Sequence, residues 1–186
     1  MKELQARVQS CKKCNLHISR ERPVFGSGDL NSDIVIIGEA PGEQEDIQGM
    51  PFVGRSGEFL NQRILEIGLR REHVYICNII KCRPPKNRDP STEEVTLCSD
   101  YLIEQLNILK PKVIITLGKF SGQFVTGQHQ IPISRLRGCW FEYNGISVMP
   151  TFHPAYCLRN SQSTHYVKED FKAVIDRIKK ENKLHV

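Results

Sequence analysis

The sequence predicts an α/β domain: a three-layer α/β/α sandwich built on a central, mainly parallel sheet. Three observations lead there. Short, continuous apolar runs recur at Ile34-Val35-Ile36-Ile37, Val74 to Ile80 and Val113 to Leu117. Runs of that length between turn residues are what strands buried on both faces look like. Stretches of helical spacing alternate with them, and alternating strands and helices wrap a parallel sheet in helices. The third observation is size. The chain has 186 residues, 39% hydrophobic and 25% charged, which suits one packed domain over 1–186. No internal repeat or linker divides it.

The elements follow in chain order. An amphipathic N-terminal segment precedes Cys11-Lys12-Lys13-Cys14. A turn cluster from Gly26 to Asp33 leads into the first strand, Ile34 to Ile37. That strand breaks into Gly38-Glu39-Ala40-Pro41-Gly42, a loop that continues through Pro51-Phe52-Val53-Gly54. Ser56 is the expected N-cap of a helix carrying Phe59, Leu60, Ile64 and Ile67, with Gly68 as its stop. The strand from Val74 to Ile80 passes into a Pro-rich loop, Lys81 to Pro90. Ser91 and Glu94 form a capping box for a helix whose stripe is Val95, Cys98, Leu102, Leu106 and Leu109, ended by Pro111. After the strand at Val113, Gly118 opens a short helix towards Gly127. Asn144-Gly145 between Trp140–Tyr143 and Ile146–Val148 marks a hairpin. Phe152-His153-Pro154-Ala155-Tyr156 follows, and Val167 to Lys180 closes the chain as an amphipathic helix.

Composition excludes some classes. No apolar run approaches the ~18 residues of a membrane helix, and the N-terminus has no signal-peptide core. A cytoplasmic location is expected. A formal charge of +5 is compatible with nucleic acid without requiring it. Seven cysteines without a secretory signal speak for metal binding rather than disulfides. Cys11 and Cys14 form a C-x-x-C pair, which Cys82 and Cys98 can complete as a four-thiolate site. Zinc and an iron–sulfur cluster are both open; one paired half instead of two tilts the balance towards the cluster. Cys98 as a core residue and Cys82 as a free thiol is the plainer alternative. Cys77 and Cys139 read as buried, non-ligating residues.

Taken together, three motifs in order resemble the family 4 uracil-DNA glycosylases, the thermostable iron–sulfur type of bacteria and archaea. They are Gly38–Gly42 with Pro51–Gly54, Asn78 before Lys81-Cys82-Arg83-Pro84-Pro85, and Phe152–Tyr156. The match runs from Cys11 to about Arg159. The resemblance implies a [4Fe–4S] cluster on Cys11, Cys14, Cys82 and Cys98. It also implies hydrolysis of the bond between uracil and deoxyribose, on single- or double-stranded uracil-containing DNA, by a monomer without membrane attachment.

That chemistry assigns roles. A flipped base needs an aromatic face, and Phe52 is the candidate. Reading uracil against cytosine needs one group that accepts from N3–H and donates to O4; the carboxamide of Asn78 does both. By the resemblance, Glu45 stands where a thymine methyl would sit. His153 is the candidate donor to O2 of the departing base, helped by amides of the Glu39-Ala40 turn, since Pro41 has none to give. Ala40 occupies the position where much of the superfamily has an Asp that orients water. Glu39 is then the nearest acid, for positioning water or stabilising a cationic sugar. The other histidines (His17, His73, His129, His165 and His185) are expected at the surface or in packing. The chain departs from the family after Tyr156, with Cys157 and then Leu158 where a leucine wedge is usual. Arg159, Lys81, Arg83, Lys86, Arg88, Arg135 and Arg137 are candidate phosphate contacts. A broader-specificity family 5-type enzyme and a non-catalytic, metal-stabilised DNA-binding module are the alternatives.

Overall fold

The computed structural model describes residues 1–183, with side chains to Lys180. Its helices are α1 (Lys2–Gln9), α2 (Leu16–Ser19), α3 (Glu43–Gln48), α4 (Arg55–Glu66), α5 (Thr92–Leu109), α6 (Lys119–Thr126), α7 (Ile133–Leu136), α8 (Pro154–Arg159) and α9 (Thr164–Lys183). Its strands are β1 (Ser27–Gly28), β2 (Ile34–Gly38), β3 (Tyr75–Asn78), β4 (Val113–Leu117), β5 (Phe141–Tyr143) and β6 (Ile146–Thr151). One six-stranded sheet has the order β1-β3-β2-β4-β6-β5. The four inner strands are parallel, and the short outer strands β1 and β5 are antiparallel.

The apolar runs form the strands because both faces are covered. In β2 successive side chains point to opposite faces. Val35 and Ile37 join Val8, Leu102 and Leu106 from α1 and α5, while Ile34 and Ile36 join Leu60, Ile64 and Phe171 from α4 and α9. Those two cores are the interfaces between the three layers. The parallel strands all end at one edge of the sheet. The order reverses about β2, with β3 on one side and β4 on the other, and a switch point of this kind opens a crevice at the carboxyl ends.

Several boundaries differ from expectation. Ser56 lies inside α4, whose N-cap is Gly54. The reason is close packing: a Cβ at Gly57 would sit 1.9 Å from the Phe52 carbonyl oxygen, so the helix begins pressed against the loop before it. The Ser91–Glu94 capping box is present, and α5 stops at Leu109, one residue before a left-handed Lys110. Helix α3 and strand β1 formed where only loop was expected. Cys77 is buried, but Cys139 is exposed, contrary to expectation. No helix among the described residues is long and apolar enough to cross a membrane. His185 lies outside the described residues.

Candidate active site

A cavity of about 550 Å³ opens at the carboxyl edge of the sheet. Each parallel strand contributes to it through its end or the residues just after it: Glu39 to Gly42 after β2, Asn78 of β3, Gly118 to Phe120 after β4, and His153 after β6. Phe52 and Glu45 reach it from the loop and helix that follow β2.

Asn78 is 1% exposed, and its Oδ1 has no hydrogen-bond partner among the described residues. A buried acceptor without a donor costs roughly 1–3 kcal/mol, and this one, unlike buried Thr116 Oγ1, belongs to a residue that lines the cavity, where a ligand can supply the hydrogen. The Phe52 ring lies beside it. A Cβ at Gly38 would meet Asn78 Oδ1 at 2.3 Å and the Phe52 ring at 2.7 Å, which is why the strand ends in glycine. The Phe52 and His153 ring centroids are 6.0 Å apart, at 38°.

His153 is the N-cap of α8, and its Nδ1 accepts the amide hydrogen of Ala155 at 3.1 Å. Burial drives its pKa down to about 4, with Arg159 acting in the same direction and Glu45 opposing. The imidazole is therefore neutral, and with Nδ1 occupied as an acceptor its proton sits on Nε2. Glu39 moves the other way. Burial, followed by the charge of Asp89, lifts its carboxyl to about 7.

Glu45 is not a solvated charge. Its carboxylate accepts the amides of Gly42 (3.1 Å), Val53 (2.9 Å) and Gly54 (3.0 Å), fastening α3 to the Phe52 loop. Ala40 and Pro41 line the cavity wall. Beyond the strand ends, the Ile79 and Ile80 amides donate to the carbonyls of Gly38 and Glu39, which sets the path of that turn.

Cys11, Cys14, Cys82 and Cys98 line a second, smaller cavity between α1, α5 and the loop after β3. Arg20 donates to Cys82 Sγ (2.9 Å), and the Lys81 amide donates to Cys98 Sγ (3.3 Å). Burial outweighs these donors and raises both thiols, Cys98 to about 11. No three His, Cys, Asp or Glu side chains among the described residues gather closely enough to hold a single ion.

Three positions differ from the sequence expectation. Lys81 is 1% exposed, with Nζ donating to the Asn78 carbonyl (2.7 Å) and Gln105 Oε1 (2.6 Å), so it cannot meet phosphate. Arg137 is committed to the buried Asp170 and stacks on Tyr166. Cys157 is 1% exposed within the core, so it cannot reach DNA, whereas Leu158 beside it is 42% exposed. Arg83 and Arg88 are paired with Glu43 and Glu94. Arg159 is exposed on the cavity rim, and Lys86 and Arg135 are exposed too. The sequence reading missed Asp89, Lys119 and Phe120, which also line the cavity. Gly118 directly after an apolar strand was a signal that could have found the last two.

Residues 25–179 match the model of the uracil DNA glycosylase superfamily. The type-4 uracil-DNA glycosylase of Thermotoga maritima is 44% identical over 97% of this chain and 96% of its own length. That of Archaeoglobus fulgidus is 43% identical over 90% and 87%. A type-5 uracil-DNA glycosylase of Pyrobaculum aerophilum is more distant, at 34% over 72% and 66%. Identity of this extent over nearly the whole chain shows that it belongs to the type-4 uracil-DNA glycosylases of the uracil-DNA glycosylase superfamily.

Proposed function

We propose that this protein excises uracil from DNA by hydrolysing its bond to deoxyribose, and that the cavity at the carboxyl edge of the sheet performs the reaction. The observation that carries this reading is the unpartnered, buried Oδ1 of Asn78 beside the Phe52 ring. Uracil offers a hydrogen at N3; cytosine offers a lone pair there. A fixed amide therefore pairs with one base and leaves polar groups unpaired against the other, a difference worth up to about 10⁴–10⁵ in selectivity. Phe52 stacks on the flipped base. Glu45, clamped by three backbone amides, walls the C5 side and excludes the thymine methyl.

As the C1′–N1 bond breaks, its electron pair moves onto the base and charge grows on O2. The neutral His153 donates Nε2–H to that oxygen, a contribution of about 10²–10³ in rate for one preorganised donor. The ionised Glu39 orients the water that attacks C1′ and offsets positive charge on the sugar, and the proton that water loses ends on the uracil anion. Leu158 fills the space left in the duplex, and Arg159 meets a phosphate.

The four cysteines fit a [4Fe–4S] cluster. Four sulfurs share one cavity, and Arg20 and the Lys81 amide donate to two of them. When bound, the cluster supplies a cross-link between three chain segments. Cys11 and Cys14 would hold it from the N-terminal segment, Cys82 from the loop at the pocket wall and Cys98 from α5.

The test is release of uracil from single- and double-stranded oligonucleotides, read as alkali-labile breaks, with matched thymine and cytosine controls. The wild type cuts only at uracil. His153→Ala and Asn78→Ala each lose at least about 10²-fold while remaining folded. Full activity in both variants would move the site elsewhere.

A further inference from the structure

Phe52 has φ of 51°, a left-handed backbone that a bulky side chain rarely adopts. Left alone, this residue would relax into the extended region and carry its ring away from Gly38. The backbone around it is held from two sides. On one side Glu45 takes the amides of Val53 and Gly54. On the other is Arg71, in the single 3₁₀ turn Arg71–His73 that precedes β3. Its Nη1 donates to the Phe52 carbonyl at 2.7 Å and to Asn61 Oδ1 at 3.2 Å, and its Nη2 donates to the Pro51 carbonyl. The Phe52 carbonyl is also pressed against Gly57, where no side chain fits.

We propose that Arg71 is a positioning residue for base recognition: its guanidinium fork fixes the Pro51 and Phe52 carbonyls and thereby holds the Phe52 ring over the pocket floor. The proposal rests on the cavity being the uracil site, but Arg71 need not touch the base. A surface arginine on a short turn would be exposed and mobile. This one is half-buried with three oxygen acceptors, two of them adjacent main-chain carbonyls of the strained segment. Burial also lowers its pKa, so the site keeps the cation against a desolvation cost. A lysine cannot serve two carbonyls and an amide with the same planar fork.

A double-mutant cycle on uracil release tests this. Arg71→Met keeps length and apolar packing but removes the donors; kcat/KM falls by about tenfold, as expected for losing charge-assisted hydrogen bonds. Arg71→Lys falls less. In a Phe52→Ala background, Arg71→Met costs no more than about twofold further, the limit of ordinary additivity error. Equal losses in both backgrounds, or no loss in the first, would overturn the proposal. Amide hydrogen exchange supplies a readout independent of activity. Arg71→Met loses protection at Val53 and Gly54 while the sheet amides stay protected; unchanged protection there would overturn it as well. A wild type that releases no uracil would instead defeat the functional reading, and the exchange experiment would still decide the role of Arg71.

Discussion

Glu39 and His153 face one cavity, and burial moves both towards their neutral forms. For His153, with a pKa of about 4, neutrality is the working state in the proposed reaction, so its ionisation should leave no mark on activity between pH 5 and 9. For Glu39, at about 7, it is not. Orienting water or facing a cationic sugar needs the carboxylate. The single-turnover rate of uracil release should therefore rise with pH through a midpoint near 7. Glu39→Gln should flatten that profile and lower the plateau by about 10²-fold or more. Linkage gives the two groups opposite signs. The folded pKa of Glu39 is raised above its ordinary value, so its contribution to stability is complete below about 4.5 and lost as pH rises through 7. The pKa of His153 is depressed, so its contribution is present above about 6.5 and lost as pH falls towards 4. Glu39→Gln should accordingly raise the Tm at pH 8 while it removes activity; a lower Tm there would mean the carboxylate is structurally paired.

Helix α5 shows which elements the sequence displays and which it hides. Its start was legible because a capping box is local chemistry: Ser91 Oγ accepts from the Glu94 amide, and Glu94 Oε2 accepts from the Ser91 amide. Glu94 also holds Arg88 at the base of the loop that walls the pocket. Ser91→Ala should cost about 1 kcal/mol in chemical denaturation, by the usual worth of an N-cap. It should spare the Arg88–Glu94 pair, leaving the rate at saturating DNA unchanged. Helix α3 was illegible for the opposite reason. Six residues with no apolar stripe leave Ile47 half exposed. What holds it is distant in sequence: buried Asp46 accepts the amides of Glu21 and Arg22, and Glu45 those of the Phe52 loop. The site divides in the same way. Asn78 stood out as an amide in an apolar strand, and His153 as a histidine after one. Lys81 and Arg71 were hidden because their residue type predicts solvent, and only tertiary contacts bring them inside.

At the scale of the molecule the cysteine cavity and the strand-end cavity are tied together along the chain. Cys82 follows Asn78 by four residues, and the chain after it walls the pocket at Pro84 and from Asn87 to Asp89. A second tie runs beneath. Lys81 Nζ holds the Asn78 carbonyl and Gln105, and Gln105 Nε2 donates to the Phe25 carbonyl and to Tyr75 Oη. That network is buried, belongs to the sheet and α5, and needs no metal. If the cysteines hold the proposed cluster, the two ties predict separable behaviour on treatment with an oxidant and an iron chelator. The segment 1–22 and the loop 82–90 should become more sensitive to protease, because the proposed cluster adds to the Arg7–Glu104, Lys13–Asp100 and Arg88–Glu94 pairs that also join them to α5. The sheet, anchored through Lys81 and Gln105, should keep its circular dichroism, and Asn78 should keep its place. Uracil excision should then weaken mainly through KM, since the loop carrying exposed Lys86, a candidate phosphate contact, is loosened while Asn78, Phe52 and His153 stay assembled. The loss should deepen with added salt, as it does for contacts made by Arg and Lys to phosphate. Parallel collapse of kcat and of the sheet signal would show that the cluster supports the whole fold rather than one wall of the pocket.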